Sequence, residues 1–226
     1  MTETEQKVKE IKQSFRQMMD GQVAQSMRQK GVNYHLNWGA TLPRLREMAE
    51  EISNGLTRTD TNSNPSTGQT RTDTEQYTLA IALWKENIRE CKILATMLMP
   101  PDELLPEVAD IWMEQTETLE IAEQLAFNLM QHVPYAADKA FLWIAAADDL
   151  PQICGYHILS RLFMRRQEPN ERGINEFIDQ ALAALQSPTP PLRKAAMQAV
   201  IHFAEMGLMY QRIARSAIHS IQLDFL

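Results

Sequence analysis

The chain has 226 residues, a formal charge of −7 at pH 7, 8 glycines and 2 cysteines, enough length for one domain that buries roughly 70% of its unfolded surface. Cys91 and Cys154 form neither a disulfide framework nor a CxxC redox pair, and neither a signal peptide nor an apolar run of the ~20 residues a membrane span needs is seen. Charge is uneven: residues 1–74, 75–150 and 151–226 carry +1, −10 and +2, which excludes a uniformly basic nucleic-acid coat but leaves room for a few phosphate contacts on the flanks. A soluble, monomeric, cytoplasmic protein is expected, without a membrane partner.

Leu, Ala, Met, Gln and Glu dominate and Val-Ile-Thr alternation is nearly absent, so an all-α fold without strands is expected. The first helical pattern covers residues 5–28, with Val8, Ile11, Phe15, Met18 and Met19 on one face and Gly31 as its stop. A second helix starts near Thr41, whose hydroxyl can cap free amides while Pro43 occupies the first turn. Its buried stripe is Leu45, Met48, Ala49 and Ile52. Residues 53–74 then turn to Thr, Asn, Ser, Asp and Gly, and Thr57-Arg58-Thr59-Asp60-Thr61 recurs as Thr70-Arg71-Thr72-Asp73-Thr74. So little apolar surface predicts a flexible polar insertion within a single domain over 1–226.

A repeat follows. Ile88-Arg89-Glu90-Cys91, Leu119-Glu120-Ile121-Ala122, Leu150-Pro151-Gln152-Ile153 and Leu192-Arg193-Lys194-Ala195 align, and Ala95, Ala126 and Ala199 recur four residues later, with His157 the exception. Small residues one turn apart let helices approach closely, so these segments read as the inner helices of successive hairpins. Outer helices are expected at about 102–112, 136–147 and 174–186, and a capping helix at 208–221. Stacked hairpins of this length imply a HEAT-like α-solenoid, curved, with a concave face. Its clearest signature is the Pro-rich turn Ser187-Pro188-Thr189-Pro190-Pro191 before Leu192-Arg193 and the alanines that follow.

Several blocks resemble the AlkD-like branch of the DNA alkylation repair family, HEAT-like repeat proteins that include alkylpurine DNA glycosylases. They are Gly39-Ala40-Thr41-Leu42-Pro43-Arg44-Leu45-Arg46, then Leu83-Trp84 before Ile88-Arg89-Glu90 and Ile93-Leu94-Ala95, and Trp143-Ile144-Ala145 before Asp148-Asp149. The resemblance implies duplex DNA, including alkylated DNA, as partner and N-glycosidic hydrolysis of alkylated purines as chemistry. Active members carry Trp-Trp-Asp-x-x-Asp on an inner helix, where rings hold the cationic lesion and a carboxylate supports the sugar cation. Here that stretch is Thr118-Leu119-Glu120-Ile121-Ala122-Glu123: both carboxylates remain as Glu and both aromatics are gone. The family's basic residue on the next inner helix falls at Ile153, and its further aromatic near Gln198. Glu120 and Glu123 are therefore the catalytic candidates, against a plain solvated acidic face beside Glu114 and Glu117.

The candidate DNA-binding set is Arg89, Lys92, Arg161, Arg165, Arg166, Arg193 and Lys194. Arg161 and Arg165 share a face at i,i+4, suited either to adjacent phosphates or to the negative end of their own helix. Arg193 and Lys194 open a helix, where a cation opposes the dipole and an external anion is the better explanation. Trp38, Trp84, Trp112 and Trp143 read as core, with Trp38 the least constrained and the best exception for base stacking. The five histidines lack ligand spacing, so no metal is expected, and no motif calls for a cofactor. The alternative to DNA is a non-catalytic scaffold whose groove takes a protein or peptide, which the acidic middle would favour if that peptide is basic.

Overall fold

The computed structural model describes residues 2–59 and 71–223. The described residues include twelve α-helices and one π-helical segment, with no strand among them beyond an isolated parallel bridge between Leu36 and Ile88. The chain divides into two compact units, Met1–Trp112 and Met113–Leu226.

The first unit opens with α1 (Glu3–Gln17), closed at its start by a capping box in which the Thr2 hydroxyl accepts from the Glu5 amide and the Glu5 carboxylate from the Thr2 amide. The helical pattern over 5–28 is not one helix. Met18 ends α1, and Asp20 caps α2 (Gly21–Gln29) by accepting from the amides of Gln22 and Val23. A cap and a fresh start override an apolar periodicity that runs on through the break. Gly31 stops α2 as expected: its φ is +79°, and the Val32 amide reaches back to the Met27 carbonyl.

Helix α3 (Leu42–Thr59) follows, with Pro43 in its first turn and Leu45 and Ala49 buried. It is longer than expected, because the polar tail 53–59 stays helical, and α4 (Arg71–Trp84) likewise begins inside the expected insertion. The part of that insertion over 60–70 lies outside the described residues. Helix α5 (Arg89–Leu98) is buried along most of its length and pairs with α4 as a hairpin. Helix α6 (Pro106–Glu114) starts on a proline, four residues later than expected, and carries the boundary between the units. Trp112 stacks on Trp84, ring centroids 4.2 Å apart and planes within 2°.

The second unit holds α7 (Leu119–Gln124), capped by the Thr118 hydroxyl, which runs directly into the π-helical segment Leu125–Met130. Then come α8 (Ala136–Ile144), α9 (Asp149–Met164), α10 (Glu171–Leu185), α11 (Pro190–Glu205) and α12 (Leu208–Ser220). Helices α8 and α9 form one hairpin and α10 and α11 the next, while α9 packs against α7 on one side and α11 on the other. Gly155 is the reason α8 and α9 come so close: a β-carbon there would lie 2.8 Å from the Ala140 carbonyl oxygen. Phe163, Phe177, Phe203 and Tyr210 interlock at centroid separations of 5.0 to 5.4 Å, joining α9, α10, α11 and α12 in one aromatic core.

Ile88, Leu119, Leu150 and Leu192 all fall within one turn of the start of α5, α7, α9 and α11, so the repeat marks equivalent positions. The small-residue column is buried: Ala95, Ala126 and Ala199 expose nothing. No described helix is long and apolar enough to cross a membrane.

Candidate functional site

In the second unit, α7, α9 and α11 are neighbours, and their matched turns bring together residues far apart in sequence. Glu120 and Glu123 lie on adjacent turns of α7, both half-buried. The His157 Nε2 stands 3.8 Å from Glu123 Oε1, and its ring tilts against Phe127 at 4.8 Å. The Arg161 guanidinium lies over the same ring, 4.8 Å from the Phe127 centroid. On α11 the Gln198 amide donates to His202 Nε2 at 3.1 Å, which leaves the Nδ1 proton for the Ser160 hydroxyl at 2.7 Å.

Burial and neighbouring charges shift both groups. Burial is the main reason the Glu123 carboxyl titrates above its usual range, reinforced by Glu120 and opposed by Lys194. Burial also depresses His157, to about 4, with the positive charges of Arg161 and Lys194 adding to the effect. The 3.8 Å approach between His157 and Glu123 is therefore a contact between a carboxyl group and a neutral imidazole at pH 7, not an ion pair. A folded-state value below the unfolded one near 6.5 means the unfolded chain binds the extra proton first, so stability falls as pH drops from about 7 to 4. The wild type is expected to lose on the order of 2–3 kcal/mol more than His157→Asn across that window. Denaturation curves at the two pH values check this, and equal losses would remove His157 as the titrating group.

The cationic residues singled out from sequence part company here. Lys194 is exposed in the first turns of α11 and has no ion pair or hydrogen bond among the described residues, yet its charge reaches both Glu123 and His157. Arg161 shares that face through Phe127. Arg165 instead donates to both the backbone carbonyl and the side chain of Gln131, Arg166 to the Met206 carbonyl at 2.8 Å, and Arg193 to the Ser187 carbonyl at 2.6 Å. These carbonyls close helix ends that carry partial negative charge, so three guanidinium groups are held by the fold itself. Arg166 also adopts φ +57° to end α9 where a glycine is usual.

Arg89 is not a surface residue. It is 2% exposed, its guanidinium donating to the Ala40 carbonyl at 2.7 Å and to Glu90 Oε1 at 3.2 Å. The same Glu90 oxygen accepts from the amides of Trp38, Gly39 and Ala40, binding the 38–40 loop to the start of α5. Expected phosphate contact at Arg89 is thereby corrected, because its charge is spent inside the first unit. Lys92 is half-buried with its ammonium 4.8 Å over the Trp84 ring. Trp38, expected to be the freest ring, is buried beside Phe15. Ile153, at the family's basic position, is buried.

Sequence reading missed Phe127, His157, Ser160 and His202. Two signals were present: Phe127 sits four residues after Glu123, and His157 breaks the small-residue column four residues before Arg161. Among the described residues no group of three or more His, Cys, Asp or Glu is placed to hold a metal ion.

No protein-family model matches the sequence, and no curated protein matches it. A solved structure does match: a member of a new family of proteins related to the HEAT-like repeat DNA glycosylases with affinity for branched DNA structures. The likeness has a TM-score of 0.73 at 14% sequence identity, over 93% of this chain and 81% of that one. The chain has a HEAT-like repeat fold. In this HEAT-like protein Thr118 caps α7, its hydroxyl accepting from the Ile121 amide.

Proposed function

We propose that this protein binds DNA along the α7–α9–α11 face of its second unit, through Lys194 and Arg161, without excising bases. The observation that carries this reading is the exposed Lys194 ammonium, without an ion pair or hydrogen bond among the described residues, whose charge acts together with that of Arg161 at the neutral His157. A phosphate there would receive both positive charges and relieve their mutual repulsion. The affinity for branched DNA of the protein with the similar fold supports DNA as the ligand. Excision is disfavoured by the site's one ring, since Phe127 already carries the Arg161 guanidinium and the His157 imidazole. A cationic alkylated base would meet repulsion where a glycosylase offers an open aromatic face.

Two measurements test the reading. Binding of linear duplex and four-way-junction DNA is expected to weaken steeply with salt, and Lys194→Glu should lower the log–log slope by about 1 without changing sequence preference. No binding at low salt would discard DNA and leave the peptide-binding scaffold. Incubation with DNA containing methylated purines is expected to release no free base. Release that disappears in Glu123→Gln would instead make Glu123 a catalytic carboxylate, with Glu120 beside it.

A further inference from the structure

The geometry points to a second nucleic-acid backbone site, on the first unit, in the cleft between α1 and α4. This inference rests on the DNA reading above but uses none of the same residues. The cleft measures about 830 Å³. One wall is α1, where Lys9, Gln13 and Arg16 recur at i, i+4 and i+7 and so line a single stripe about 10 Å long. The facing wall is α4, with Thr78 midway and Lys85 just beyond its end.

What distinguishes the cleft is which charges are already used. Glu5 is held by the capping box of α1, and Glu86 by Lys12 at 2.8 Å. Lys9, Arg16 and Lys85 are exposed, and none has an ion pair or hydrogen bond among the described residues. Both carboxylates that line the cleft are thus neutralised or engaged, while three cations face outward around it beside hydroxyl and amide donors. That set, Lys and Arg with Thr, Gln and Tyr, is the donor chemistry that proteins turn toward phosphodiester oxygens. An apolar partner would find little here: Val8, Ile81 and Ala82 supply the floor, and only Val8 is fully buried. A protein that holds backbone at two places, one on each unit, suits DNA with more than one arm.

The test is the triple variant Lys9→Gln, Arg16→Gln, Lys85→Gln in the full chain, with four-way-junction DNA as probe between 50 and 200 mM salt. Three lost phosphate contacts should lower the log–log salt slope by about 2.7, so that the wild type loses roughly 40-fold more affinity than the variant over that range. Thermal unfolding is expected to stay unchanged, since all three side chains are exposed and unpaired among the described residues. An unchanged slope in a variant that folds, alongside a lowered slope for Lys194→Glu, would overturn the cleft and leave the second unit's site standing. Wild-type protein that fails to bind at 50 mM would remove both. Poly-glutamate that displaces junction DNA from the wild type but not from the triple variant would overturn the assignment to nucleic acid and make the cleft an acidic-peptide site.

Discussion

Glu90→Ala is expected to destabilise the first unit by roughly 3–5 kcal/mol, the range seen when one partner of a buried ion pair is removed. Glu90 is fully buried, and a single oxygen of its carboxylate receives the Arg89 guanidinium and three consecutive loop amides. Alanine would strand a buried positive charge and remove the acceptor shared by the amides of Trp38, Gly39 and Ala40, of which Gly39 alone keeps a second one, the Asn37 side chain at 2.8 Å. Gly39 sits at φ +79°, and a β-carbon there would lie 2.1 Å from the Asp20 carbonyl oxygen, so this segment presses directly on the start of α2. Arg89→Met should cost less, about 1–3 kcal/mol, because the carboxylate loses the guanidinium but keeps its three amide donors, and the Ala40 carbonyl loses the Arg89 donor. Urea denaturation of the three proteins checks the order. If Arg89→Met proves as damaging as Glu90→Ala, the loop amides contribute little and the latch is a plain ion pair.

The second large effect lies in the other unit. Phe203→Ala is expected to cost roughly 3–5 kcal/mol, as truncation of a buried aromatic does where neighbours cannot collapse into the space. Phe203 exposes nothing and touches Phe163, Phe177 and Tyr210 on three different helices, so no single rotamer change can refill the hole. Its loss would loosen α11, and with it Lys194 and His202 of the proposed DNA-binding face. The variant should therefore bind DNA more weakly at 37 °C than at 10 °C by more than the wild type does. Equal temperature dependence, or a loss below 1 kcal/mol in denaturant, would show that the aromatic group is not a unit.

Much of the architecture was legible because helix starts obey local rules. Pro190 and Pro191 with Thr189, Gly31, and the alanine column each act within a few residues, and each stands where the pattern placed it. The expectations that failed involve partners distant in sequence. Arg89 and Arg193 occupy the same place in the repeat, yet one is sealed beneath a loop 49 residues away and the other is half-exposed. Nothing at positions 88–91 announces that loop. Arg165 and Arg166 likewise find carbonyls 34 and 40 residues away, and only the folded chain shows which helix ends are within reach. The polar residues 53–59 misled in the opposite direction: low apolar content argues against burial, but a helix already nucleated by α3 extends through them at little cost. Within the proposed DNA-binding face, the family resemblance points to Glu120 and Glu123, whereas the spacing of Phe127 and His157 acquires its meaning only where α7 and α9 lie side by side.

The π-helical segment Leu125–Met130 follows Glu123 by a single residue and contains Phe127. Such a segment fits one surplus residue into an otherwise regular helix, and each residue of an α-helix advances the chain by about 100°. Deleting one residue there would let the helix run through as plain α with both flanks nearly in place, because an i→i+5 turn rotates the chain about as far as the i→i+4 turn that would replace it. An added residue has no such relief: the wide turn already holds one, and a second would re-aim Glu123 relative to Gln131, where Arg165 anchors the helix. Along this stretch a single deletion should therefore be tolerated far better than a single insertion.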